Sequence, residues 1–473
     1  MLTYQDYLAA ADLPKFVAKV IAQHKQSETY RMAVVADAYD RQRNTTIREF
    51  TDMLRRAAAN GVAAAQMSLA IASNYFRRFN TQRCSYLLGN GVAFTRMEQR
   101  RNEAGILVNV DVIKERLGQD YDGQLYQWAY HALIHGVAYG YWDSERLYVF
   151  PVTQFAPLPD EDTGALMAGV RFWRIDGEHP LKAELYTAEG IFEFEGISRG
   201  SETLRAASEA PRAYIERTRT SAARGTVAVG RVDLPAFPVI PMYGSNLRQS
   251  TLVGLREKID AWDLIASGLA KDLKDVAAIY WIMSNAGGMS QAELNRMLED
   301  MLTNHIINVD GSGFDGSVRE AMAPYSTEVP HQGRLSFLEA LEKSMYRDFG
   351  AMDVRDLTAG ATNDHIDAAY QALDEEADQL ELQVIEAVRQ QLKLMGIDDT
   401  PRFSRSKAKN ITELTNAVIA SAQYLDAEAV LDHLPFITVD EKDAILQRMD
   451  AEDARRLRQR TTTTPAGEIT DEV

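Results

Sequence analysis

Apolar residues recur at three- and four-residue steps from Thr251 to Met283: Leu252, Leu255, Ile259, Trp262, Ile265, Leu269, Leu273, Val276, Tyr280 and Met283. That spacing predicts one amphipathic helix. Its polar face carries Arg256, Glu257, Lys258, Asp260, Lys271, Asp272, Lys274 and Asp275. At 1.5 Å per residue the rod spans roughly 45–50 Å, longer than an ordinary globular helix. A second seam, Ile366, Ala369, Tyr370, Leu373, Ala377, Leu380, Val384, Val388, Leu392 and Met395, predicts another long helix from Thr362 to about Met395. Gly396 stops it. Two rods too long for a compact domain can pack against copies of themselves around an axis.

The rest of the chain alternates between two periods. Residues 1–60 are mostly helical, with Tyr7, Leu8, Leu13, Phe16, Val17, Val20 and Ile21 on one face and a capping signal from Thr45 to Glu49. A helix is expected over Leu69–Leu88, ended by Gly89-Asn90-Gly91, and another over Val110–Ile134. The period then shortens. Leu147–Phe150, Val170–Ile175, Ala183–Tyr186 and Ile191–Phe194 are aromatic and β-branched runs between turn clusters, an antiparallel meander from about 145 to 196. Ser198–Arg231 is polar, Arg-rich and weakly patterned, as in an exposed insertion. Phe237–Met242 reads as a strand. Beyond the first rod come a helix over Ser290–Leu302, a strand and Gly/Asp turn over Ile306–Gly316, and an extended piece over Pro324–Pro330. A helix through Leu335, Leu338, Leu341, Met345 and Phe349 follows, then a glycine-containing loop over Met352–Ala361. Residues 411–458 read as a small helical domain, and 461–473 as a disordered tail. The fold class is mainly α with a β-meander, α+β.

Composition narrows the function classes. The 473 residues are 46% hydrophobic and 25% charged, the balance of a folded soluble protein. The net charge of −17 is not the footprint of a protein that grips phosphates over its whole surface. The single cysteine, Cys84, rules out an intrachain disulfide and sits in a helical run, as a buried structural thiol would. The first residues lack a basic region followed by an apolar core, so no signal peptide is expected. No uncharged apolar run reaches the roughly 20 residues of a membrane span.

Catalytic motifs are missing. There is no Gly-x-x-x-x-Gly-Lys-Ser/Thr phosphate loop, and the string Gly196-Ile197-Ser198-Arg199-Gly200 opens the polar 198–231 stretch and not a strand-to-helix elbow. His131 and His135 have the spacing of metal ligands on a helix, but no glutamate follows His131 and no third ligand is evident, so helix packing is expected. The Asp310-Gly311-Ser312-Gly313 turn resembles part of a calcium loop, yet position 12 is Ala321 and not glutamate. The acidic runs Asp374-Glu375-Glu376 and Asp440-Glu441-Lys442-Asp443 are expected to be solvated helix faces. No catalytic residue, metal or cofactor is expected. Lys271 and Lys274 are candidates to face DNA, against the simpler reading of pairing with neighbouring acids. Arg355, Asp356, Asn363 and His365, in or beside the 352–365 loop, are candidates for DNA contact.

The ordered set of segments resembles the portal proteins of tailed bacteriophages, the siphovirus class. Asn74-Tyr75-Phe76 with Tyr86-Leu87-Leu88-Gly89, His135-Gly136-Val137-Ala138-Tyr139, Phe237-Pro238-Val239-Ile240-Pro241-Met242, Gly360-Ala361 and Tyr424–Pro435 are similar to family segments in the same order. The 198–231 insertion has no counterpart in that pattern. The resemblance implies an elongated, ring-forming subunit, usually one of a dodecamer at a capsid vertex. Its parts would be a wing (1–245), a stem (246–283 and 330–351), a clip (284–329), a tunnel loop (352–361), a long wing/crown helix (362–396) and a crown (397–460). Double-stranded DNA would pass through the channel during packaging and ejection. The terminase large subunit and later a head–tail adaptor would dock on the clip, with Asp310, Phe314 and Asp315 as contact residues. Scaffolding and major capsid proteins are further implied partners. Portals are not enzymes, and they reside in the virion after assembly in the host cytoplasm. The competing expectation is a helical scaffold protein without a DNA role.

Overall fold

The computed structural model describes residues 2–59, 70–101, 107–143, 145–208, 210–221, 225–232, 236–276, 280–283, 322–325, 331–356, 362–405, 407 and 411–422, with a few positions beyond. The expected helix over 290–302, the turn over 306–316, residues 357–361 and the tail over 461–473 lie outside them.

Three helices open the chain, each capped by the residue the sequence supplies. They are α1 (Tyr4–Leu8, capped by Thr3), α2 (Leu13–Gln26, capped by Asp12) and α3 (Glu28–Asp40, capped by Ser27). Next come α4 (Thr45–Ala59) and α5 (Tyr75–Leu88). α5 starts six residues later than the periodicity suggests. Asp263 and Ser267 accept the amide protons of Ser73 and Ile71, which holds residues 70–74 outside the helix.

The expected helix over Val110–Ile134 is broken. After β1 (Val92–Ala93), β2 (Met97–Arg101) and β3 (Leu107–Asp111), Asp111 accepts from the amides of Ile113 and Lys114 to start α6 (Val112–Leu117). Gly118, at φ +88, ends it before α7 (Tyr121–His135). Side-chain periodicity carried through the gap because both pieces bury the same face in one core.

α7 leads into β4 (Val137–Trp142), β5 (Leu147–Pro151), β6 (Phe155–Pro159), β7 (Leu166–Trp173), β8 (Lys182–Thr187), β9 (Gly190–Gly196) and β10 (Leu204–Ala206). Strands β6 to β10 form the antiparallel meander, in the order β10-β9-β8-β7-β6. The expected first strand, Leu147–Phe150, instead joins β4 and β13 (Val239–Tyr243) in a separate three-stranded sheet. The missed strand is β6. Its Pro157 and Pro159 mask a strand signal, and edge strands tolerate proline. The 198–231 stretch is also more ordered than expected, since it contains β10 and a hairpin of β11 (Ile215–Ser221) with β12 (Gly225–Val232).

The first rod is shorter than its stripe. Residues 251–255 are turns, α8 runs Arg256–Val276, and Tyr280–Met283 is strand β14, paired with β15 (Met322–Tyr325). Tyr280-Trp281-Ile282-Met283 is aromatic and β-branched, so strand pairing wins where the stripe alone cannot tell. The 21 residues span roughly 30 Å. After α9 (His331–Phe349), the second rod, α10 (Asn363–Leu394), is present at nearly full expected length with Thr362 as its cap. A short β16 (Arg402–Phe403), paired with β1, and α11 (Ile411–Ser421) follow.

Three cores organise these elements. One face of the meander is covered by α1 and α2, with Tyr7, Phe16, Val17, Val20 and Ile21 against Leu158, Val170, Leu185 and Phe194. A second core joins α3, α5, the entry to α8, and α9 through Tyr39, Phe76, Phe79, Leu252, Leu255, Ile259, Met345 and Phe349. The third gathers Leu87, Tyr121, Leu125, Trp128, Leu133 and Met242 around Leu380, Val384, Val388 and Leu392 of α10. The second rod's seam is therefore consumed largely inside its own chain, contrary to the expectation that both rods pack against copies. Residues of the three-stranded sheet and of α5 and α7 surround it and bury it by the hydrophobic effect.

Candidate functional site

α8 is fixed by polar bonds that its apolar stripe does not reveal. Asp263 is fully buried; its carboxylate accepts from Asn44 Nδ2 at 2.5 Å and from the Ser73 amide at 2.9 Å. Burial pushes its pKa up, against the hydrogen bonds of Asn44 and Ser73. One turn earlier, Asp260 accepts from Tyr39 Oη at 2.5 Å and Thr46 Oγ1 at 2.8 Å. These bonds join α8 to the α3–α4 connection. The signal for them was present: Asp263 and Ser267 fall beside Ile259 on the apolar face, where a polar residue needs a partner. Tyr39→Phe is expected to cost about 1–2 kcal/mol by removing a buried hydroxyl donor to a carboxylate, read as a lower urea midpoint.

The entry to α8 explains a motif. Gly136 ends α7 at φ +87, and a Cβ there would lie 2.7 Å from the backbone of Gln249. No side chain fits both conditions. Ser250 Oγ and the Thr251 amide then donate to the carbonyls of Ile134 and Leu133, at 2.6 and 3.1 Å.

The segment between α9 and α10 is clamped at its start. Gln82 of α5 bonds both backbone groups of Met352: its Oε1 accepts from the amide at 3.1 Å and its Nε2 donates to the carbonyl at 2.9 Å. Arg83, 5% exposed, donates to the Phe349 carbonyl at 2.6 Å, pairs with Glu376 at 3.0 Å and lies over the Phe349 ring. Arg355 is exposed, but its guanidinium is held by Asp353 at 2.6 Å and Glu342 at 2.9 Å. The hydrogen bond from Arg355 holds Asp353 below the usual carboxylate range. His365 is exposed in the first turn of α10, and its amide donates to the Thr362 cap. Asn363 is half-buried beside it. The Asp356 side chain, the Lys271 and Lys274 side chains, and Asp310, Phe314 and Asp315 lie outside the described residues. The structure thus brings Arg355, Asn363 and His365 to the two ends of one connection.

The acidic run on α10 is not a solvated face throughout. Asp374 pairs with Arg405 at 3.1 Å and Lys407 at 2.7 Å and accepts from Tyr86 Oη at 2.6 Å, while Glu376 holds Arg83. Burial raises Asp374, but these partners outweigh it and leave its pKa low. Only Glu375 of the three is exposed.

His135 Nε2 lies 2.8 Å from Asp37 Oδ1, and the His131 ring stacks on His135 with centroids 5.4 Å apart. Among the described residues no group of three or more His, Cys, Asp or Glu could hold a metal, and no helix is long and apolar enough to cross a membrane. Cys84 is buried, and burial pushes its thiol pKa far up.

A long helix fixed at its entry, a two-stranded pairing beyond it, and a return helix leading to a clamped connection are thus the polar and apolar framework of this region. The family model "Phage portal protein, SPP1 Gp6-like" matches residues 19–459. The chain belongs to that family, and its function is that of a phage portal protein. It is 22% identical over 406 residues to the portal protein of Bacillus phage SPP1, covering 80% of this chain and 75% of that protein. It is 24% identical over 214 residues to the portal protein of Clostridium phage phiCD119, covering 43% of this chain and 46% of that one. Among solved structures, a chain from the neck of a native gene transfer agent particle, computed with C12 symmetry, matches at TM-score 0.40 and 12% identity, over 77% of this chain and 90% of that one.

Proposed function

We propose that this chain is one subunit of a homo-oligomeric ring, a dodecamer, at one capsid vertex, through which double-stranded DNA is packaged and later ejected. The observation that carries the reading is the family match across residues 19–459. In this reading residues 1–245 are the wing, 246–283 and 330–351 the stem, 284–329 the clip, 352–361 the tunnel loop, 362–396 the wing/crown helix and 397–460 the crown. The clip docks the terminase large subunit and then the head–tail adaptor, with Asp310, Phe314 and Asp315 at the contact. Scaffolding and major capsid proteins surround the ring. Arg355, Asp356, Asn363 and His365 border the channel, with Lys271 and Lys274 on the stem. The ring assembles in the host cytoplasm, resides in the virion and acts without enzymatic activity of its own.

Charge supports a channel that does not adhere to DNA. The chain carries −17, and the Arg355 guanidinium is matched by two carboxylates. A guanidinium already held by carboxylates has less to offer a phosphate, and duplex affinity falls with the number of phosphate contacts. Negative-stain images of the purified full chain are expected to show rings with a central hole. Monomers or fibres would overturn the reading.

A further inference from the structure

α8 and α9 meet in a narrow apolar joint of Ala266, Leu269 and Leu338, with Trp262 and Ile265 half-buried at its edge. Beside the joint an open groove of about 390 Å³ runs between the two helices, lined by Leu264, Ile265, Gly268, Gly333, Arg334 and Phe337. Phe337 is 53% exposed and Leu264 38%, so the groove has apolar walls facing outward. A Cβ added at Gly268 or at Gly333 would meet nothing within 4 Å. Among the described residues no packing contact requires glycine at either place, although glycine inside a helix costs about 1 kcal/mol relative to alanine. Bare backbone there leaves room for another chain to approach closely.

The same helix pair carries the complementary feature on its other side. At about 100° per residue, Leu335 lies roughly 200° around α9 from Phe337. It is 48% exposed and cannot reach the groove of its own chain. Glu339, one turn on and on the same flank, is exposed and makes no ion pair or hydrogen bond among the described residues. The groove that it would meet carries Arg334, which already has a contact within its own chain but whose guanidinium has donors for more than one acceptor. Ridge and groove therefore differ in shape, complement each other in charge, and sit on opposite flanks of one element.

We propose that the occupant of the groove is a second copy of this chain, with Leu335 of one copy seated over Gly268 and Gly333 of the next and Glu339 facing the next copy's Arg334. This names the contact surface within the ring reading and rests on that reading. A contact between two different patches is heterologous, and its repetition closes a ring when the rotation per step divides the circle. A groove meeting another groove would stop at a dimer.

The test uses the full chain carrying Gly268→Cys and Leu335→Cys, in which the native Cys84 is buried and silent. Oxidation with copper–phenanthroline is expected to give a ladder of covalent multimers on a non-reducing gel. Either single variant should give no ladder, because a disulfide needs its two Cβ atoms about 4 Å apart. In parallel, Gly268→Trp puts a large side chain into the groove from a position where a Cβ meets nothing within 4 Å among the described residues. It is expected to abolish rings by electron microscopy and native mass measurement while leaving the subunit's circular dichroism unchanged. Wild-type-like rings from Gly268→Trp, or double-cysteine rings that yield no ladder, would overturn this contact and leave the ring reading standing. A wild-type chain that forms no rings overturns the ring reading, and this contact with it.

Discussion

Replacing Arg83 by methionine is expected to destabilise the chain by about 3–5 kcal/mol, the range for removing one partner of a buried ion pair. Its guanidinium satisfies the Phe349 carbonyl and Glu376 at once, and its face covers the Phe349 ring. Methionine keeps the apolar stem but leaves a buried carbonyl unpaired and a carboxylate uncompensated. Glu376 is one-third exposed, so Glu376→Gln should cost much less, on the order of 1 kcal/mol. The affected place is the junction where α9 ends, α10 passes and the 352–356 segment begins. Urea unfolding followed by hydrogen exchange of the α9 amides would measure it. A loss under about 1 kcal/mol for Arg83→Met would show that the junction is held by packing alone.

The second large effect is a loss of stability between pH 6.5 and pH 4. Burial, with the adjoining His135 charge, pushes the His131 pKa down to about 4, against a small opposing pull from Asp37. Asp37 of α3 is the carboxylate beside the pair, and Arg41, just past the end of α3, acts in turn on Asp37. The unfolded chain takes up this proton near pH 6.5, the folded chain only near pH 4. Over that interval the unfolded state holds more protons, so stability rises with pH and falls on acidification. The full gap corresponds to about 3 kcal/mol, an upper value for a site that keeps some solvent access. Burial lowers His24 in the same direction. His131→Gln should flatten the pH dependence of the melting temperature between pH 4 and 6.5. An unchanged slope would mean that the ring is wet enough to take its proton in the fold.

Much of the architecture was legible. The α10 seam and the meander runs are local patterns with a single physical reading. The two overlong stripes failed for one cause, which is that a side-chain period does not report where the backbone finds its hydrogen bonds. The Thr251–Met283 stripe continued past Val276 because Tyr280 and Met283 suit a strand as well as a helix. The Val110–Ile134 stripe continued across Gly118 for a similar reason. Polar residues on apolar faces, Asp263 foremost, were visible as anomalies, but their partners lie some 190 to 220 positions away in the chain.

By itself the chain's order of residues determined most element types, the absence of a phosphate loop and, through its ordered short segments, the portal family. Local free energies decide these, and they depend on neighbours a few residues apart. The tertiary structure alone decided that α10 spends its seam inside the subunit, that Arg355 is already matched by carboxylates, and that α8 and α9 keep a groove on one flank and a ridge on the other. Each of those depends on which distant surfaces come to share a core, and apolar burial is indifferent to direction until the backbone has placed them.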